Sequence, residues 1–92
     1  MDYYVSQIIH LPFAKRIRNF LPCRGDILPI ESDYKILFYL VQYRFGGSGP
    51  SFAIPDLRPI DTEAGPDIRR EWNDDEIVPH ICYRGVFPPP EQ

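Results

Sequence analysis

At 92 residues the chain is one domain at most, and a chain this short buries only roughly 60–65% of its unfolded surface. Hydrophobic residues at 43% and aromatics at 14% exclude a disordered chain. A net charge of −3 and a pI of about 5.2 argue against a nucleic-acid binder, which ordinarily presents a basic face.

Tyr4-Val5-Ser6-Gln7-Ile8-Ile9-His10-Leu11 reads as a strand ended by Pro12. Phe13 to Asn19 is a short connection carrying Lys15, Arg16 and Arg18. Phe20-Leu21-Pro22-Cys23 reads as a short extended piece, Arg24-Gly25-Asp26 as a turn, and Ile27-Leu28-Pro29-Ile30 as a second extended piece. Ser32 or Asp33 suits an N-cap, and the pattern predicts a helix from Tyr34 to about Phe45, with Gly46 as its C′ stop. Ile36, Leu37, Phe38, Leu40, Val41 and Tyr43 cover most of that helix, leaving a narrow polar stripe at Lys35 and Gln42. A helix apolar nearly all round is expected to be buried on several sides. So small a domain struggles to cover it alone, so a neighbouring subunit or protein is expected to help.

Gly46, Gly47 and Gly49 fall within four residues and mark a loop that needs positive φ or close backbone approach. Phe52 to Arg58 then alternates apolar and other residues, and Pro55 argues against a central strand position there. Asp61 to Glu76 is a polar, acidic loop with a short helix expected at Pro66 to Trp72. Ile77 to Phe87 reads as a closing strand, ended by Pro88-Pro89-Pro90. The organisation expected is residues 1–60 as a module, 61–76 as an acidic loop, and 77–92 as a closing strand with a Pro-rich end, all of one domain. The fold class expected is α+β: short, mostly antiparallel strands around one helix with long ordered loops.

The blocks Ile9 to Phe13, Phe20-Leu21-Pro22-Cys23-Arg24-Gly25-Asp26, Leu28-Pro29-Ile30, Tyr34 to Leu40, Phe45-Gly46-Gly47-Ser48-Gly49 and Phe52-Ala53-Ile54-Pro55-Asp56-Leu57-Arg58 stand in a characteristic order. Together they resemble the phage tail collar domain family, which includes microcystin-dependent-protein-like chains and the collar segment of short tail fibres. Asn19-Phe20 stands where that family usually has Gly-Trp, Asp26 where Gln is common, Ser48 for the loop Asp, and Pro59 for the usual Gly. The chain has only His10 and His80, so the family's His-rich metal-binding receptor region is not carried over. The resemblance implies a structural component assembled into a phage tail, or into a phage-tail-like contractile injection particle; synthesis in the cytoplasm is expected because the start Met1-Asp2-Tyr3-Tyr4 lacks a basic and then apolar leader pattern. Other tail, baseplate or fibre proteins are the partners it implies, in oligomeric surroundings of which a homotrimer is one arrangement. Neither a nucleic-acid partner nor a membrane span is expected.

The residues expected to shape the loops are Gly25, Gly46, Gly47, Gly49, Pro55, Asp56 and Arg58. Those expected to face a partner are Ile36, Tyr39 and Tyr43. Arg58 beside Asp56 suggests an ion pair or a backbone cap. Arg24-Gly25-Asp26 spells an adhesion tripeptide, but a turn is the simpler reading. His10, His80, Cys23 and Cys82 lack metal-ligand spacing, and two buried reduced thiols are expected. The acidic loop lacks the ligand spacing of a calcium loop. No metal, cofactor or catalytic residue is expected, and an enzyme is the least supported class. The alternative is a free-standing surface adhesion or recognition module using Tyr3, Tyr4, Tyr83 and Trp72.

Overall fold

The computed structural model describes residues 3–66 and 68–89. Among these residues, six short strands form two sheets. β1 (Ile8–Leu11), β2 (Phe20–Pro22) and β6 (Val78–Cys82) make the first, in the order β1-β6-β2. β3 (Ile27–Pro29), β4 (Gly47–Ser48) and β5 (Ser51–Ala53) make the second, in the order β3-β5-β4. All of these pairings are antiparallel. One helix, α1 (Lys35–Val41), follows a 3-10 turn at Ser32–Tyr34. The α+β class therefore holds broadly, with the helix a minor part.

The closing strand does not sit at an edge. β6 lies between β1 and β2, pairing Ile8 with Ile81 on one side and Leu21 with Ile81 on the other. All five of its residues are buried. On one side Val5, Leu21 and Ile81 share a core with Leu28, Leu37, Val41, Phe52 and Ile54. On the other, the 12–19 connection crosses the strand, with Lys15 O 3.2 Å from His80 Nε2 and Phe13 edge-on to the same ring. Pro79 occupies a central strand, where proline is unusual. Its carbonyl accepts the Cys23 N–H (3.0 Å), just past the end of β2. The first strand is shorter than the sequence suggests, because Gln7 N–H turns back to Tyr4 O (3.0 Å). Tyr4 instead bridges Val86 in parallel, joining the segment before β1 to the segment after β6.

The helix also departs from expectation. It stops at Val41, well before Gly46, because Gln42 takes φ 50°, outside the right-handed helical region, while its N–H makes the last helical bond, to Phe38 O (2.7 Å). The chain is then recruited to β4, where Gly46 O accepts Ala53 N–H (3.1 Å). Strand pairing thus overrides a good helical pattern. The N-cap position falls on Tyr34, whose side chain makes no capping hydrogen bond, rather than on Ser32 or Asp33. Only Leu37 and Val41 of the helix are buried. Phe52 does lie in a central strand, and Pro55 stays outside it, two residues beyond the end of β5.

Residues 68–72 form no helix. Ile60 bridges Arg69, Asp61 N–H donates to Ile68 O (2.7 Å) and Arg70 N–H to Pro59 O (2.9 Å). This return pairing outweighs the weak helical signal at Pro66 to Trp72, of which Asp67 lies outside the described residues.

Candidate functional site

Two features concentrate the residues singled out in the sequence: a charged junction after β5 and an uncovered face on α1. The junction begins in the backbone. Residues 54–57 run antiparallel to 23–26, with Ile54 N–H on Asp26 O (3.1 Å), Gly25 N–H on Pro55 O (3.2 Å) and Leu57 N–H on Cys23 O (2.9 Å). A Cβ on Gly25 would stand 3.0 Å from Asp56 Cβ. This seam aims Asp56 and Arg58 away from the core while Pro55 stays buried within it.

Asp56 and Arg58 form a two-bond pair, Nε to Oδ1 at 3.0 Å and Nη2 to Oδ2 at 2.9 Å. Oδ1 also accepts the Arg58 backbone N–H (3.2 Å). The sequence left ion pair and backbone cap as alternatives; both form. Arg58 Nη1 reaches Glu71 Oε2 (3.0 Å), and Arg24 Nη2 reaches Glu71 Oε1 (3.3 Å). Arg24 also stacks on Trp72, 5.6 Å from the ring centre, and Arg69 Nη1 donates to Arg58 O (2.7 Å). Glu71, Trp72 and Arg24 therefore bind the loop beyond residue 60 to the strands before it. No local spacing announces them. The Arg24-Gly25-Asp26 triplet is a turn tied down on both flanks rather than a projecting loop.

The Arg58 side chain bonded to Asp56 holds that carboxyl below the usual carboxylate range. The same pairing, then Glu71, raises Arg58. Farther along, Arg70 grips Glu76 through both oxygens (2.7 and 2.9 Å) and lowers it to about 2. Burial, then the charge of Asp56, pushes the Cys23 thiol up to about 12. Cys23 and Cys82 are both buried and unbridged. His80 is buried with Nδ1 3.0 Å from Val78 O, so both ring nitrogens face backbone carbonyls.

A carboxyl lowered by folding contributes stability that is complete above its unfolded value of about 4. That contribution drains away as pH falls toward and through the folded value. Urea unfolding between pH 6 and pH 2 is therefore expected to show a falling midpoint that Asp56→Asn makes shallower. At pH 7 that variant should lose roughly 1.5–3 kcal/mol, the range for a hydrogen-bonded charge. Glu76 titrates in both proteins, so the difference between them isolates Asp56. Identical slopes would remove the junction from the stability account.

The glycine loop connects α1 to this seam. Gly46 lies at φ 125°, Gly47 at 94° and Gly49 at 57°. Gly49-Pro50 joins β4 to β5, Pro50 O accepts Ile30 N–H (2.9 Å), and Tyr43 Oη donates to Gly49 O (2.7 Å). Sequence reasoning passed over Gly85, where a Cβ would collide with the Tyr3 carbonyl oxygen and crowd Cys82 Sγ.

Ile36 and Tyr39 on α1, and Tyr43 in the turn beyond its end, are all exposed, Tyr39 at 66%. Phe87, from the C-terminal segment, joins Tyr39 with ring centres 5.7 Å apart and is itself exposed. The four aromatics weighed for adhesion fare differently. Tyr3 packs edge-on to Phe20, Tyr83 against Tyr34 and Trp72 beneath Arg24, leaving only Tyr4 exposed. Among the described residues, no group of three or more His, Cys, Asp or Glu side chains could hold a metal ion. Among the same described residues, no helix is long and apolar enough to cross a membrane.

A family model described as Phage Tail Collar Domain matches residues 6–60, more than half of the chain. No curated protein and no solved structure matches.

Proposed function

The chain belongs to the phage tail collar domain family, a structural family of tail fibres, and from that premise we propose that it is an assembly component of a phage tail or a phage-tail-like contractile injection particle. It sits with collar, fibre or baseplate proteins and acts by binding them, without catalysis. The observation that carries this reading is the match over residues 6–60. The exposed Ile36 and Tyr39 on α1, with Phe87 against Tyr39 and exposed Tyr43 in the turn beyond, support it, because exposed apolar patches mark contact surfaces. The glycine loop, Pro55, Asp56 and Arg58 shape and brace the module; Ile36, Tyr39 and Tyr43 meet the neighbour. Pro88 and Pro89 extend that contact, while Pro90 lies outside the described residues.

The test is to sediment large particles from producing cells and search them for the chain by mass spectrometry. Recovery with sheath, tube or fibre proteins is expected. An Ile36→Glu/Tyr39→Glu chain should keep its fold, since both side chains are exposed, yet be lost from the particles by about tenfold or more. Recovery of the unaltered chain only in the soluble or secreted fraction would sink the tail reading and favour the free adhesion module.

A further inference from the structure

Cys23 is where the chain changes partners. Up to it, the chain pairs with β6: Phe20 stands opposite Cys82, Leu21 opposite Ile81 and Pro22 opposite His80. The next position in that register sets Cys23 opposite Pro79, and Cys23 N–H donates to Pro79 O (3.0 Å). Beyond it, the chain pairs with the segment after β5: Arg24 bridges Asp56 in the register that Ile27 keeps with Ala53. Cys23 O belongs to this second pairing and accepts Leu57 N–H at 2.9 Å. One residue thus gives its N–H to the first sheet and its carbonyl to the continuation of the second.

An antiparallel pair of the Cys23–Pro79 kind ordinarily exchanges two bonds, each residue donating to the other's carbonyl. Proline has no N–H, so the return bond from residue 79 to Cys23 O cannot form. Any other residue there would bring a donor into a buried position on the middle strand of the sheet, where an unpaired N–H is costly. The acceptor that the register sets opposite such a donor is Cys23 O, already taken by Leu57. What hangs on the Leu57 bond is the charged junction. Leu57 lies between Asp56 and Arg58, whose side chains pair at 3.0 and 2.9 Å. Together with Gly25 N–H on Pro55 O, the bond fixes the backbone on both sides of Asp56.

We propose that Pro79 is a positioning residue for the charged junction: by withholding an N–H from Cys23 O it leaves that carbonyl to Leu57, and so fixes the backbone that carries Asp56 and Arg58. It acts from the middle strand of one sheet on the segment that continues the other. The inference goes beyond the assembly reading, and its test uses no particles.

Amide hydrogen exchange of the full-length chain, read by nuclear magnetic resonance, tests it. In Pro79→Ala the new N–H competes for Cys23 O. Exchange at Leu57 N–H is expected to rise about fivefold or more relative to Ile54 N–H, which keeps Asp26 O. The Asp56 carboxyl, held low by Arg58, is expected to titrate closer to the ordinary carboxylate range in that variant, a change that a general loss of stability would not produce. The ester counterpart, with lactic acid at position 79, matches Pro79→Ala in shape but has no N–H, and it should restore both readings. Equal acceleration at Leu57 and Ile54 would mean general loosening and overturn the proposal. So would an unchanged Leu57, with Cys23 O accepting both donors. An ester that behaves as Pro79→Ala does would overturn it too, by assigning the effect to the proline ring. If Pro79→Ala does not fold, an ester that removes the Leu57 N–H from the otherwise unaltered chain breaks the same bond from the other side. Asp56 should then titrate closer to the ordinary range, and an unmoved titration would overturn the proposal.

Discussion

Truncation after Glu76 is expected to abolish the cooperative unfolding transition, although the shortened chain keeps the whole matched segment 6–60. The reason lies in strand order. β1 and β2 are consecutive in sequence yet do not pair with each other; each pairs with β6. Removing β6 splits the first sheet and leaves two strands of four and three residues with no partner. It also uncovers Leu21 and Val5 and deletes Val78 and Ile81, all at 2% exposure or less. Each such side chain contributes roughly 1.5–3 kcal/mol by burial. A domain of this length holds only the lower part of the usual 5–15 kcal/mol, so the loss exceeds what remains. Urea titration followed by far-ultraviolet circular dichroism reads the outcome, and Trp72 fluorescence gives a second probe within the retained part. A sigmoidal transition in the truncated chain would mean that the matched segment folds unaided.

The breaks between elements were legible because their causes are local. Pro12 follows the last residue of β1, and Gly25 takes φ 78° in the turn between β2 and β3. Strand order is not local. Nothing near Ile77 to Phe87 says that the segment inserts between two earlier strands, and its proline argues mildly against it. Helix length failed for the same reason: residues 42–45 have a helical pattern, but the pairing of Gly46 with Ala53 is decided by a partner further along the chain. The short helix at Pro66 to Trp72 lost to backbone pairing with Pro59 to Asp61, again across a turn.

The site divides along the same line. Asp56 and Arg58 are two residues apart, so their pairing is readable from adjacency. Glu71 and Trp72 reach that pair and Arg24 only through the fold, and carboxylates in an acidic stretch give no sign of which one will be bound. Helix composition announced more apolar surface than one small domain covers. It did not say which side chains would stay outside, because that depends on where β5 packs: Phe38 leans on Phe52, while Ile36 and Tyr39 turn away.

Alanine at Gly47 is expected to destabilise the chain far more than alanine at Gly49, although both glycines have positive φ in the same loop. At Gly49, φ is 57° and nothing lies within 4 Å of an added Cβ, so the cost is the left-handed backbone alone, about 1–2 kcal/mol. At Gly47, φ is 94° and the added Cβ would stand 2.5 Å from Phe52 Cα and 2.7 Å from Ser51 O. Both atoms belong to the backbone of β5, the middle strand of its sheet, so neither can swing aside as a side-chain tip would. Relief requires β4 to separate from β5, and Phe52, fully buried between Leu28 and Phe38, resists that shift. Strain and lost packing together exceed about 3 kcal/mol. Urea midpoints of the two variants, measured side by side, should differ by at least about 1 kcal/mol converted through a common slope. The far larger loss at Gly47 would also identify the β4–β5 approach, rather than loop flexibility, as the reason for glycine there. Equal losses would show that positive φ is the whole requirement and that β4 yields easily.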